Sequence, residues 1–153
     1  MDEIAGAAGV AVGTLYRHFP NKTDLVSAVI AEYVEDVAGR AEAAHARAAA
    51  GARPVDELSA FLSYVVEASA TDRAVKTAAQ TLGAQPTNQA GEDRATSALA
   101  ELLRAAQTDG SIHPDVTVDD LYLLFTSAPT DRERAARARW LTLVLRGLTT
   151  PNP

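Results

Sequence analysis

Beginning at Leu25, an apolar residue returns at every fourth position, through Val29 and Tyr33 to Val37, with Val26, Ile30 and Val34 beside them. Residues three and four apart in an α-helix share a side, so this is one broad apolar face. Pro20 stops whatever precedes it, because proline cannot continue the backbone ladder. Asn21 is placed to cap the new helix, and Asp24 falls in its first turn, where the helix dipole favours a carboxylate. The pattern predicts a single helix of about 28 residues. In a chain of 153 residues such a helix is the spine against which everything else must pack.

The rest of the chain reads as helix too. No stretch alternates convincingly as a strand and no internal repeat is present, so the expected fold class is all-α. Asp2–Ala8 forms a short helix, broken at Gly9-Val10, and a second covers Val12–Phe19 with Leu15 and Phe19 on one side. Alanine-rich stretches such as 41–50 favour helix by propensity. Gly51 to Pro54 interrupt the spine, and Pro54 suits a first helical turn. Leu58, Phe61, Leu62, Val65 and Val66 mark the next helix. Thr71 is the expected cap of another, ending near Leu82-Gly83, and 84–91 is either a loop or the opening of the next helix. Leu99, Leu102, Leu103 and Ala106 mark a helix that stops at Asp109-Gly110. Thr117 and Asp120 form a capping box, and Thr130 with Glu133 is expected to form a second one that opens the last helix.

Composition removes several classes of function. The chain has no cysteine, hence no disulfide, thiolate metal site or cysteine nucleophile, which fits a reducing cytoplasm. No apolar run approaches the ~20 residues that span a bilayer, so no membrane partner is expected, and the acidic start MDEIAGAAG is no signal peptide. His18, His45 and His113 share no metal-ligand spacing, and no cofactor motif is found. The acidic pairs Asp119-Asp120 and Glu92-Asp93 stand near helix starts, where capping explains them better than acid–base chemistry. No serine or threonine sits in a nucleophile elbow. An enzyme therefore has little support.

The net charge is -6. Over residues 1–50, four cations face seven carboxylates, a balance of -3. A broad basic face is absent, so any contact with nucleic acid must be local. Residues 1–20 nonetheless meet the needs of a helix-turn-helix. Ala5 is small where two helices cross, Gly9 can take the positive φ of a tight turn, and Val10 and Leu15 are apolar where the second helix packs back. The outer face of that helix shows Thr14, Tyr16, Arg17 and His18, side chains that reach phosphates and base edges. Phe19 follows Leu15 at i+4 and reads as core.

The run MDEIAGAAGVAVGTLYRHFPNKTDLVSAV resembles the DNA-binding segment of TetR-family transcriptional regulators. It carries the IA-x-x-AGV turn, GTLYRHF, a proline, N-K and then a long apolar helix. The resemblance implies that the second short helix enters the major groove, that Lys22 contacts phosphate, and that Thr14 and Tyr16 touch the backbone. Where the family opens this helix with serine and a lysine or arginine, Ala11 and Val12 stand here, so Val12 holds a DNA-facing position without the charge. Family members also carry a preceding helix, and the chain begins where the next one starts. The resemblance thus predicts a fragment or misplaced start, leaving apolar surface of Ile4, Leu15, Leu25 and Val29 open.

On this reading residues 1–36 form a partial DNA-binding head with the start of the linking helix, and residues 37–150 form a helical ligand-binding and dimerisation domain. The D-G-x-x-x-x-D-V linker at residues 109–116 and the final amphipathic pair agree with the family. A pocket is expected near Phe61, Tyr64, Val65, Ala68, Gln80 and Leu99. A homodimer surface is expected from Leu121, Leu124, Phe125, Trp140, Leu141, Val144 and Leu148, and a twofold dimer suits a palindromic DNA operator. The implied mechanism is a ligand-released repressor, in which a small-molecule effector favours a head spacing that no longer fits DNA. Set against it are a helical ligand- or partner-binding dimer that has lost DNA binding, an enzyme on a helical scaffold, and a plain assembly module.

Overall fold

The computed structural model describes residues 1–71, 73–84 and 88–150. Among them are eight helices: α1 (Asp2–Ala8), α2 (Val12–His18), α3 (Lys22–Ala49), α4 (Pro54–Thr71), α5 (Arg73–Leu82), α6 (Gln89–Thr108), α7 (Val118–Ser127) and α8 (Arg134–Leu148). The all-α expectation holds, and among the described residues the sole β feature is an isolated antiparallel bridge between Ile112 and Thr149. No helix is long and apolar enough to cross a membrane among the described residues.

The spine forms as its sequence requires. The Asn21 side chain accepts from the Asp24 backbone N–H at 2.9 Å and donates to its carboxylate at 2.8 Å, satisfying a donor that the first turn leaves unpaired. The apolar stripe, however, is only partly what the core uses, through Val26 and Val37. Along α3 the buried residues are Val26, Ala38, Ala41 and Ala44, while Val29 stays 42% exposed. Small side chains let a neighbouring helix approach closely, and the alanines of the second half do what the larger residues of the first half were expected to do.

Ion pairs and hydrogen bonds record how the neighbours run. Arg47 meets Glu57, Asp36 meets Tyr64, and Tyr33 meets Ser69; contacts descend α3 as they climb α4, so these helices are antiparallel. Asn88 reaches the Ala31 carbonyl and Glu35, and Arg94 reaches Glu35 and Glu42; α6 therefore runs parallel to α3. Gly91 sits against α3, where a Cβ would lie 2.9 Å from Val34 Cγ1 and from Asn88 Nδ2. The main core lies between the far half of α3 and helices α4 and α6, with Leu58, Leu62 and Leu102 fully covered, and Leu121 and Leu141 closing it from α7 and α8.

Two local expectations are corrected. Thr71 is the last residue of α4, where its hydroxyl bonds back to the Glu67 carbonyl at 3.2 Å; it does not open a new helix. Thr130 and Glu133 form no capping box either: Glu133 is itself the N-cap, with no side-chain cap bond, and α8 starts at Arg134. The box at Thr117 and Asp120 does form, with both reciprocal bonds present. Of the stretch 84–91, residues 85–87 lie outside the described residues, and its end opens the next helix, with Asn88 capping α6 by accepting from Gly91 N–H.

The last helix is tied to the body by Arg137, which grips Glu67 of α4 through Nε at 3.0 Å and Nη2 at 2.6 Å. Its guanidinium holds the Glu67 carboxyl below the ordinary value of 4.5. A lowered carboxylate pKa gives stability that is present above the unfolded value and is lost as pH falls through the folded one. Glu67→Gln is thus expected to lower the thermal midpoint at pH 7, and calorimetry should find that difference closing as the pH falls below the ordinary carboxyl value through the lowered folded one. Leu102→Ala should cost about 2–5 kcal/mol of unfolding free energy in denaturant titration, from lost burial and the cavity left behind.

Candidate nucleic-acid interface and cavity

At the head, Gly9 adopts the left-handed conformation, φ 67°, that reverses the chain between α1 and α2, and the Val10 N–H returns to the Ala5 carbonyl at 3.0 Å. Such a turn favours glycine because a Cβ strains at positive φ. Ala5 is fully buried and Leu15 is buried opposite it, which orients α2. The remaining face of α2 then points outward. Thr14, Tyr16, Arg17 and His18 are exposed, as are Val12 at its start and Lys22 at the start of α3. Phe19 is only half-buried, and Ile4 and Val10 remain at the surface at 36% and 43% exposure.

Most arginines of the body are paired, whereas Arg73, Arg139 and Arg146 are in no ion pair with a described residue. Eight arginines, from Arg40 to Arg137, are held in ion pairs with carboxylates. Arg94 is the most strongly held: it bridges Glu35 and Glu42, and its own pKa is raised by Glu42 first and Glu35 second. Arg17 and Lys22 have no ion pair with any described residue. They can meet a phosphate without breaking an existing bond. Lys22 also opposes the positive end of the α3 dipole, a placement that folding alone does not favour.

Within the body, a cavity of about 530 Å³ opens between α3, α4, α5, α6 and α7, a size within the range of small-molecule sites. Phe61, Val65, Gln80 and Leu99 come together on its wall, joined by Tyr33, Val37, Ser69 and Arg73, which sequence reasoning did not place there, and by Phe125, which it expected at a subunit interface. Tyr64 and Ala68 are not on that wall. Tyr64 turns toward α3, donates to the Asp36 carboxylate and lies under Arg40, whose guanidinium carbon is 3.9 Å from the ring centre. Its hydroxyl holds the Asp36 carboxyl below the usual range, with Arg40 adding to the effect. One face of α4 looks into the cavity and the adjacent face onto α3; helical spacing alone could not divide them.

The residues expected at a subunit interface divide in the same way. Leu121 is fully buried and Leu141 is buried at 8% exposure within the protomer's own core, so they have almost no surface to offer a partner. Leu124, Phe125, Trp140 and Leu148 are partly buried against that core, and Val144 is half-buried. The exposed apolar residues of this pair of helices are instead Tyr122, Leu123 and Leu143, at 41%, 65% and 50% exposure.

Comparison with known proteins accounts for the architecture. The family model described as bacterial regulatory proteins, tetR family, matches residues 1–29. The model described as the C-terminal domain of SbtR-like transcriptional regulators matches residues 53–150. A TetR transcription regulatory protein from Mycobacterium vanbaalenii is 31% identical with a TM-score of 0.74, over 97% of this chain and 82% of that one. A TetR transcriptional regulator from Streptomyces coelicolor is 28% identical with a TM-score of 0.70, over 99% and 87%. A ketosteroid transcriptional regulator of Mycobacterium tuberculosis, 22% identical with a TM-score of 0.62 over 97% and 83%, shares the fold. No curated protein matches the sequence.

A residue kept for binding rather than folding should show opposite effects on the two. Lys22→Ala should leave unfolding free energy unchanged or raise it by up to about 0.5 kcal/mol, since it removes a cation from a helix N-terminus. Denaturant titration of Lys22→Ala and Arg17→Ala beside the parent protein measures this.

Proposed function

We propose that this chain, which belongs to the TetR family of transcriptional regulators, is a homodimeric repressor that leaves its operator when a small molecule fills the cavity. The helix-turn-helix head and helical C-terminal domain come with the family; repression, release and dimerisation are the added reading. The observation that carries it is a pair of exposed cations, Arg17 on α2 and Lys22 at the start of α3, in no ion pair with any described residue and flanking the exposed face of the second helix of a helix-turn-helix.

Each head sets Thr14, Tyr16, Arg17 and His18 against DNA, with Val12 at the helix entry and Lys22 on a flanking phosphate. Two heads one helical turn apart, ~34 Å, fit a palindromic site. The exposed Tyr122, Leu123 and Leu143, with Trp140 and Val144 beside them, supply the apolar face that joins the subunits. Release follows if the ligand prefers a conformation in which the heads no longer match that spacing. Helix α5 is placed to transmit the change: Arg73 and Gln80 line the cavity, while Arg73, Thr77 and Thr81 line a groove that also includes Lys22. The setting is the cytoplasm, where the DNA is.

The test is fluorescence anisotropy of labelled DNA from upstream of the protein's own gene, across a salt series. If Arg17 and Lys22 of both heads meet phosphate, log K should fall against log salt with a slope of about -3.6, and Lys22→Ala should reduce it by about 1.8. Leu123→Glu with Leu143→Glu should give a folded monomer in sedimentation that has lost operator affinity, although both positions are remote from α2. Salt-independent or absent DNA binding by the parent protein would favour a ligand-binding dimer without DNA.

A further inference from the structure

We infer that the cavity takes an amphipathic organic anion, its apolar body lodged among Phe61, Val65, Leu99 and Phe125 and its carboxylate held by Arg73. The inference rests on the effector reading above and names the ligand's chemistry.

The helices grade the cavity from oil to charge. On α4, Phe61, Val65 and Ser69 follow at four-residue intervals, and Arg73 stands one step further, at the start of α5. On α3, which runs the other way, Val37 belongs to the apolar part and Tyr33 lies by Ser69, their oxygens 3.4 Å apart. Gln80, two helical turns along α5 from Arg73, adds an amide to the polar side. Leu99 and Phe125 add to the apolar part, where Phe61 and Phe125 meet edge to face at 6.5 Å, and Tyr122, Thr126 and Thr130 also line the cavity beside Phe125.

Arg73 is the one formally charged residue among the described residues that line the cavity, and no carboxylate is among them. It makes no ion pair with a described residue. Glu67, the acid closest to it along α4, is already held by Arg137 at 2.6 Å and approached by Arg134. A planar guanidinium that no described carboxylate engages, on the wall of a largely apolar cavity, matches a carboxylate in two-point geometry. A neutral ligand would leave the guanidinium to water, and a cation would be repelled.

The measurement is isothermal titration with decanoate, below its micelle concentration, against decan-1-ol of the same chain length, at low salt. Transfer into an apolar site by itself favours the alcohol, because a carboxylate is costly to desolvate. A preference for decanoate therefore reports on Arg73. The parent protein is expected to bind decanoate about five- to ten-fold more tightly than the alcohol. Arg73→Gln should reverse the order, and Arg73→Lys should keep a smaller preference for the acid. Because Arg73 is exposed and unpaired with described residues, Arg73→Gln should unfold at the parent's temperature, which separates loss of recognition from loss of fold. Preference for the alcohol by the parent protein, an acid preference that survives Arg73→Gln, or no binding of either compound overturns the inference. Arg73-dependent binding of decanoate that leaves operator affinity unchanged upholds it while refuting the effector reading. Release of the operator by decan-1-ol alone does the reverse.

Discussion

The structure depends on how closely α3 and α6 can lie together. Alanines at 38, 41 and 44 and at 95 and 98 are all buried, and Gly91 leaves no room for even a methyl group at the start of the contact. Arg94 then fastens the two helices, its fork spanning Glu35 and Glu42. Both carboxyls are held below their ordinary value: Glu42 chiefly by Arg94, Glu35 by Asn88 first and Arg94 second. With that pair fixed, α4 lies antiparallel against the spine, and α7 and α8 close over the top. The linker before α7 is pinned by Gln107, which donates to the carbonyls of His113 and Val116.

Features decided within a few residues were legible in the sequence. The Asn21 cap, the Pro20 break, the Gly9 turn and the Thr117–Asp120 box each rest on local backbone chemistry. The same signals misled where a second geometry competed. Thr71 has the right hydroxyl for a cap, but it bonds back into its own helix, as threonine in a last turn readily does. Thr130 and Glu133 have the spacing of a capping box, yet turns after Pro129 delay the helix until Arg134, with Arg132 N–H returning to the Pro129 carbonyl. Spacing states what a pair of side chains can do once the backbone cooperates; it does not state that the backbone will.

Which surface an apolar residue faces was less legible. Leu121 and Leu123 look alike in sequence, and one is fully buried while the other is 65% exposed. Phe61 and Tyr64 are a turn apart on α4, and one enters the cavity while the other caps an ion pair with Asp36 and Arg40. A helical stripe fixes angle around an axis, and the neighbours that decide burial come from elsewhere in the chain. Charge behaves likewise. Arg17 and Lys22 stood out through their motif, whereas Arg73 gave no signal, because its place on the cavity wall, without an ion pair to any described residue, is known only in three dimensions.

The unbroken run of α3 from Lys22 to Ala49 has a mechanical consequence. The same rigid rod carries Lys22 at one end and Tyr33 and Val37 along the cavity wall, with no joint between them. From Val37 to Lys22 the rod measures roughly 22 Å at a rise of about 1.5 Å per residue. Pivoting it by roughly 5° at the cavity sweeps the far tip through about 2 Å, at that same rise per residue. In a twofold assembly two such levers swinging apart would alter the span between reading helices by about 4 Å, a misfit against the ~34 Å period of the double helix. In such an assembly, motion too small to disturb the packed body would be amplified into a change that a duplex, with its own stiffness, could register.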